Sequence, residues 1–185
     1  FRVKHDGGEV RAEAVIIATG ASAIYTGAKG EETYKNHGVS ACATCDGFFF
    51  KNVDVLVVGG GDTAMEEAGF LTKFAKKVYL IHRRDEFRAS KIMVQRTLAN
   101  PKVEAVTSAI VAQIVGEPAT GVKAVRVKDV KTGNVREIPV QGYFAAIGHQ
   151  PNTAVFRGKL AMDETGYLQV KHPTTYTTVE GVFAA

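Results

Sequence analysis

The sequence predicts an α/β fold built on a parallel sheet, and three observations carry that prediction. Val53-Asp54-Val55-Leu56-Val57-Val58 is a β-branched apolar run, which suits a strand buried on both faces. Gly59-Gly60-Gly61 breaks the run, and Asp62 opens a helix reaching to about Ala75. In that helix Ala64, Ala68, Leu71 and Ala75 recur at spacings of three and four and so share one face. Val78-Tyr79-Leu80-Ile81 then reads as a second buried strand. Strand, glycine turn, helix and strand within about 30 residues make a βαβ unit.

The remaining elements follow in the same way. Residues 14 to 18 form a short apolar run ended by Thr19-Gly20, a buried strand and its turn. Residues 21 to 52 are loop-rich. A second helix is expected from Ala89 to Leu98, closed by Asn100-Pro101. From Val103 to Tyr143 the pattern turns β-rich: Val122 to Val130 and Val135 to Val140 flank a turn at Lys131-Thr132-Gly133-Asn134, as in a hairpin. Phe144 to Gly148 resembles Ile17 to Gly20, a strand ending in glycine. Beyond Pro151 the chain is irregular until Val182-Phe183-Ala184-Ala185, the expected start of another strand.

Composition is that of an ordinary globular protein: 185 residues, 45% hydrophobic and 23% charged. No apolar run approaches the ~18 residues a membrane span needs. The net charge of +4 is mild, and much of the basic excess lies between Lys73 and Arg96. Such a cluster serves either nucleic acid or one small phosphorylated ligand. Only two cysteines exist, three apart, whereas a secreted disulfide scaffold needs more in a shorter chain. A reducing, cytoplasmic location is expected. The chain starts at Phe1 and stops inside an apolar stretch, so it is expected to be a piece trimmed at both ends, with any targeting segment upstream.

Gly59-x-Gly61-x-x-Ala64 matches the dinucleotide fingerprint with alanine in third place. The first glycine permits the tight turn, the second lets backbone N–H groups approach a pyrophosphate, and the small third residue lets helix and strand pack closely. The helix N-terminus then faces the phosphates with its partial positive charge. A glycine-rich turn can be only a turn; placement between a buried strand and an amphipathic helix favours the dinucleotide. An NAD site usually carries an Asp or Glu about 20 residues past the glycines. Here that region holds His82-Arg83-Arg84, then Asp85 and Arg88. Guanidinium forks suit a 2′-phosphate. Two charge-assisted hydrogen bonds of about 1.5–3 kcal/mol each would favour NADP over NAD by roughly two to four decades. The other reading, a solvated basic loop or nucleic-acid patch, lacks the interleaved aromatic residues a stacking surface needs.

Cys42 and Cys45 are spaced so that one helical turn brings their sulfurs together. Three readings remain open: a structural zinc site, for which no second CxxC exists; an inert buried pair; and a dithiol cycling with its disulfide, the usual role of an intracellular CxxC. Asp46 follows at once, either as a cap or as a carboxyl group that shuttles the proton of thiol–disulfide exchange.

With these residues assembled, the sequence resembles the low-molecular-weight, bacterial and plant type of thioredoxin reductase. The matching segments are Ser40 to Gly47, Gly59 to Ala68 and His82 to Ala89, together with Ala18-Thr19-Gly20 and Ala146 to Thr153. The resemblance implies a Rossmann-like, three-layer NADPH domain with a parallel sheet and a β-meander over 27–153. It would be flanked by remnants of an FAD domain at 1–26 and 154–185. It also implies electron flow from NADPH to FAD to the Cys42–Cys45 disulfide to thioredoxin, with rotation of the inserted domain, Cys45 nearer the flavin and Asp46 as proton donor. The implied cofactor residues are Gly59, Gly60, Gly61, Asp62, Thr63 and Ala64; His82, Arg83, Arg84 and Arg88; and Ile147, Gly148, Thr19 and Gly20. No metal is implied, and the complete protein would be a homodimer. The family's N-terminal flavin-binding glycine motif is absent and its later aspartate falls beyond Ala185, so this chain is expected to bind FAD weakly or not at all. Two alternatives stand beside this. One is the flavoprotein subunit of an alkyl hydroperoxide reductase, for which NADH preference would be expected, against the arginines. The other is an NADP-binding module without turnover.

Overall fold

In the computed structural model, which describes residues 1–185, the strands open with β1 (Arg2–His5), β2 (Gly8–Arg11), β3 (Val15–Ile17), β4 (Ala21–Ala23) and β5 (Val39–Ser40). A one-turn helix α1 (Ala43–Asp46) precedes β6 (Asp54–Gly59), α2 (Asp62–Leu71), β7 (Lys77–Ile81) and α3 (Lys91–Leu98). Then come β8 (Val103–Val106), β9 (Ala109–Glu117), β10 (Gly121–Asp129), β11 (Val135–Pro139), β12 (Gly142–Ala146), β13 (His149–Pro151) and β14 (Val182–Ala184). The chain divides into two compact units, Ala23–Gly148 and Phe1–Ser22 with His149–Ala185. No helix is long and apolar enough to cross a membrane.

In the Ala23–Gly148 unit, five strands form a parallel sheet in the order β5-β12-β6-β7-β8. Strand side chains alternate between faces, and here both faces are covered. Val55, Val57, Val78, Leu80 and Phe144 point to α2 and meet Ala64, Met65, Ala68 and Leu71. Leu56, Val58, Ile81 and Tyr143 point the other way, to Ile114, Val125, Val127 and Ile138 of an antiparallel meander, β9-β10-β11. The result is three layers of Rossmann type, helices, parallel sheet and meander. Burying each large apolar side chain contributes about 1.5–3 kcal/mol, an upper figure because unfolded chains already bury some surface.

The two longer helices of this unit, α2 and α3, each differ at one boundary from their sequence pattern. α2 stops at Leu71, although Ala75 is fully buried on the predicted face. Lys73 and Phe74 donate to Phe70 and Leu71, three residues back, which tightens the chain. The Lys102 ammonium then accepts the role of cap, donating to the carbonyls of Thr72 (2.7 Å) and Ala75 (2.9 Å). α3 starts at Lys91 rather than Ala89, because Ala89 donates to Gly60 and Ser90 is extended and tied to Asp62.

In the other unit, β1 and β2 form an antiparallel hairpin, and the two expected end strands, β3 and β14, pair in parallel with each other. Its core is small: Ile17, Val182 and Ala184.

Candidate functional site

β6 delivers Gly59 to the carboxyl end of the parallel sheet, where doubly wound folds bind ligands. A Cβ on Gly59 would overlap the Ala146 carbonyl of β12 and press on Ala64, so strand, neighbour and helix meet here only because there is none. A Cβ on Gly60 would overlap the His82 ring. Gly61 is different: a Cβ there meets nothing within 4 Å, so its absence leaves open space in front of the α2 N-terminus.

The loop after β7 is strapped to this turn. The Gly60 carbonyl accepts from the amides of Arg88 (2.7 Å) and Ala89 (3.0 Å). The Asp62 carboxylate accepts from the Ser90 amide (2.9 Å) and hydroxyl (3.0 Å). His82 is 6% exposed, stacks on Phe87 at 5.1 Å between centroids, and holds Nε2 3.0 Å from the Glu86 carbonyl. Burial pushes the His82 pKa down, the charges of Arg88 and Arg84 add to this, and the carbonyls of Glu86 and Gly59 oppose it. The ring is therefore a neutral wedge under Gly60.

Arg83, Arg84 and Arg88 are exposed and none is in a salt bridge. Asp85, the carboxylate among them, is drawn away by Lys131 (2.6 Å) and by the Ser108 hydroxyl; these two contacts hold its pKa below the usual range. The guanidinium groups are thus left free to meet an anion.

Glycine turn and arginine loop border a cleft of about 520 Å³. Gly59, Gly60, Gly61, Thr63 and His82 form its floor, and Arg83 and Arg88 lie at its wall. Ile147, Gly148, Tyr25 and Thr26 also line it, whereas Asp62, Ala64 and Arg84 do not. The Tyr25–Gly27 side is fixed by Glu31, a buried carboxylate accepting from the Thr26 amide (3.0 Å) and hydroxyl (2.9 Å), the Gly27 amide (2.6 Å) and the Tyr143 hydroxyl (2.7 Å). Burial pushes the Tyr143 pKa far up, so it stays a donor. Nothing in the sequence around Glu31 signals this clamp, since its partner Tyr143 lies 112 residues away.

The second centre of the same unit is α1. Cys42 and Cys45 form a disulfide with Cα atoms 5.3 Å apart. Cys42 is extended and caps the turn, its sulfur accepting from the Cys45 amide at 3.2 Å. Asp46 makes no side-chain cap: its carboxylate accepts from the Ser40 hydroxyl (2.6 Å), which in turn accepts from the Cys42 amide (3.1 Å). Ser40, Cys42 and Asp46 therefore form one connected group. Thr44 and Cys45 are exposed. Beyond them Phe48 is 58% and Phe49 79% exposed, while Phe50 turns inward onto Phe144. Sequence reading passed over this aromatic pair, although three consecutive phenylalanines after a polar CxxCDG segment signal it. No group of three or more His, Cys, Asp or Glu side chains is arranged to hold a metal ion.

Thr19 and Gly20 belong to the other unit. Their carbonyls accept from the Asn152 side chain (3.1 Å) and amide (3.0 Å) respectively.

The whole chain, residues 1–185, matches the family described as pyridine nucleotide-disulphide oxidoreductase. It is 54% identical over 175 residues to a thioredoxin reductase of Mycolicibacterium smegmatis, covering 95% of this chain and 56% of that protein. It is 50% identical over 192 residues to thioredoxin reductase 2 of Arabidopsis thaliana, covering all of this chain and 50% of that protein. Among solved structures it superposes on thioredoxin reductases from Giardia duodenalis (TM-score 0.84, 43% identity, 98% of this chain and 59% of that one) and Streptococcus pyogenes (0.85, 42%, 99% and 59%). The chain thus spans a little over half the length of most of the relatives it matches.

Proposed function

The chain belongs to the pyridine nucleotide-disulphide oxidoreductase family, and from that premise we propose that it supplies the NADPH site and redox dithiol of a thioredoxin-disulfide reductase. One observation carries the reading: a Cys42–Cys45 disulfide and a glycine-turn cleft flanked by unpaired arginines occur in one compact unit. The kinship with thioredoxin reductases supports thioredoxin as the protein substrate. The exposed Phe48 and Phe49 offer apolar surface beside the disulfide for such a partner.

The residues present fit NADPH. The open space at Gly61, where a Cβ would intrude, lets backbone amides and the α2 N-terminus approach a pyrophosphate. Arg83 and Arg88 hold the 2′-phosphate, and Asp62 serves the site by tying down Ser90 rather than by touching the phosphate. Ile147 and Gly148 form part of the wall. NADPH, when bound, supplies two electrons as a hydride.

The residues present do not by themselves fit FAD. Around Thr19 and Gly20 there is a two-stranded pair with three buried apolar residues, and both carbonyls are engaged by Asn152. We assign 1–26 and 154–185 to an FAD domain and 27–153 to the NADPH domain on the family relation, and route no step through the flavin.

At the dithiol, one thiolate attacks the thioredoxin disulfide, a mixed disulfide forms, and the second sulfur displaces reduced thioredoxin. Asp46, connected through Ser40 to the Cys42 amide, holds the proton that the departing thiolate takes up.

Titration of the chain with NADPH and NADH tests the reading. NADPH should bind about 100-fold tighter or better, given two charge-assisted contacts. Equal affinities, or preference for NADH, would overturn it and favour the hydroperoxide reductase relation.

A further inference from the structure

Glu67, on α2, is a carboxyl group for which the mechanism above has no use. α1 seats directly on α2: Ala43 is fully buried in the contact, and Gly47 lies so close to Leu71 that an added Cβ would stand 3.1 Å from it. At this seam the Glu67 Oε1 accepts from the Ala43 amide at 3.5 Å. That amide is the one directly following Cys42. Glu67 Oε2 is buried and has no hydrogen-bond partner. A half-buried carboxyl group with one oxygen unpartnered, one peptide from a redox sulfur, is costly unless it can hold a proton.

We propose that Glu67 is a positioning residue of the dithiol centre: it holds the Cys42–Cys45 turn through the Ala43 amide, and the proton on its carboxyl group is coupled to formation of the thiolate. The inference rests on reading the pair as redox-active. Reduction breaks the S–S bond, and the two electrons, from a small dithiol in the test below, leave two sulfurs that take up two protons. When one sulfur remains a thiolate, Glu67 keeps the second proton. Two negative charges at one buried seam are thereby avoided.

The electrostatic setting agrees. Burial raises the Glu67 pKa to about 7, and the Ala43 amide is the one group pulling it back. Besides the dithiol itself, with Cys45 on α1 and Cys42 at its cap, the charged or titratable groups on the elements packed against α2 are Asp46 of α1, Asp54 of β6, Lys77 and Tyr79 of β7, Tyr143 of β12, and Lys91 and Arg96 of α3. None of them is a cause of this shift. As pH rises through 7, Glu67 ionises and its charge opposes the neighbouring thiolate.

The test is the pH profile of iodoacetamide alkylation of the dithiothreitol-reduced chain, with Glu67→Gln beside wild type. At pH 8 the variant should react roughly three- to tenfold faster, because a nearby negative charge has been removed. At pH 5.5, where Glu67 is protonated, the two rates should converge. A ratio that stays constant with pH, whether 1 or not, would overturn the coupling and leave Glu67 merely structural. A pair that dithiothreitol cannot reduce would instead sink the redox reading. Should the variant not fold, wild type labelled with ¹³C at glutamate carboxyls decides: one resonance should titrate near neutrality and move on reduction, and its absence would contradict the proposal.

Discussion

Arg83 and Arg88 reach the cleft while Arg84, between them in sequence, does not. Its carbonyl is held by the Ser108 amide at 3.0 Å, and its exposed side chain is not part of the cleft lining. The three are therefore unequal. Arg83→Ala or Arg88→Ala should each weaken NADPH binding about 10- to 100-fold, the worth of a charge-assisted hydrogen bond, and leave NADH nearly unchanged. Arg84→Ala should cost less than about threefold, as a solvent-screened charge that does not line the cleft. Calorimetric titration of the three variants checks the ranking. From sequence the arginines were legible as a group, because the residue type at that offset has a stated chemistry. Which of them turn inward was not, since an irregular loop has no period to phase them. Glu31 and Glu67 were illegible for another reason: each acts on a residue far along the chain, Tyr143 or Ala43.

At the scale of elements, the glycine turn separates packing from binding. Gly60 and Gly61 are adjacent, yet a Cβ on the first runs into the neutral His82 wedge and a Cβ on the second enters the cleft. Gly60→Ala should therefore lower stability by about 1–3 kcal/mol through overpacking. Gly61→Ala should change stability by less than about 1 kcal/mol, the scale of an N-cap effect. Its NADPH affinity should nevertheless fall at least tenfold, roughly the loss of one good contact. Urea denaturation and nucleotide titration of the same two proteins check both halves. The strands, α2 and the meander were readable because their apolar periods are local. Their ends were not, because Lys102 terminates α2 and Asp62 delays α3 from a distance of roughly thirty residues.

For the molecule as a whole, one compact unit holds the glycine-turn cleft on the sheet's carboxyl edge and a disulfide on a short helix packed against α2. The division of the outer segments from the inner one was legible in the sequence only through family likeness, since Thr19-Gly20 and Ile147-Gly148 look alike as local patterns. They differ in surroundings: the latter lines a cleft in a layered core, the former sits beside a core of three residues. Exchange with thioredoxin is the most direct measurement of the proposed role. The oxidised chain is mixed with reduced thioredoxin, quenched in acid, alkylated and weighed. Both Cys42 and Cys45 should become alkylated as thioredoxin is oxidised, and Cys45→Ser, mixed instead with oxidised thioredoxin, should accumulate a mixed disulfide through Cys42 as the thioredoxin disulfide opens. A Cys42–Cys45 disulfide that survives excess reduced thioredoxin, yet yields to dithiothreitol, would contradict the assignment.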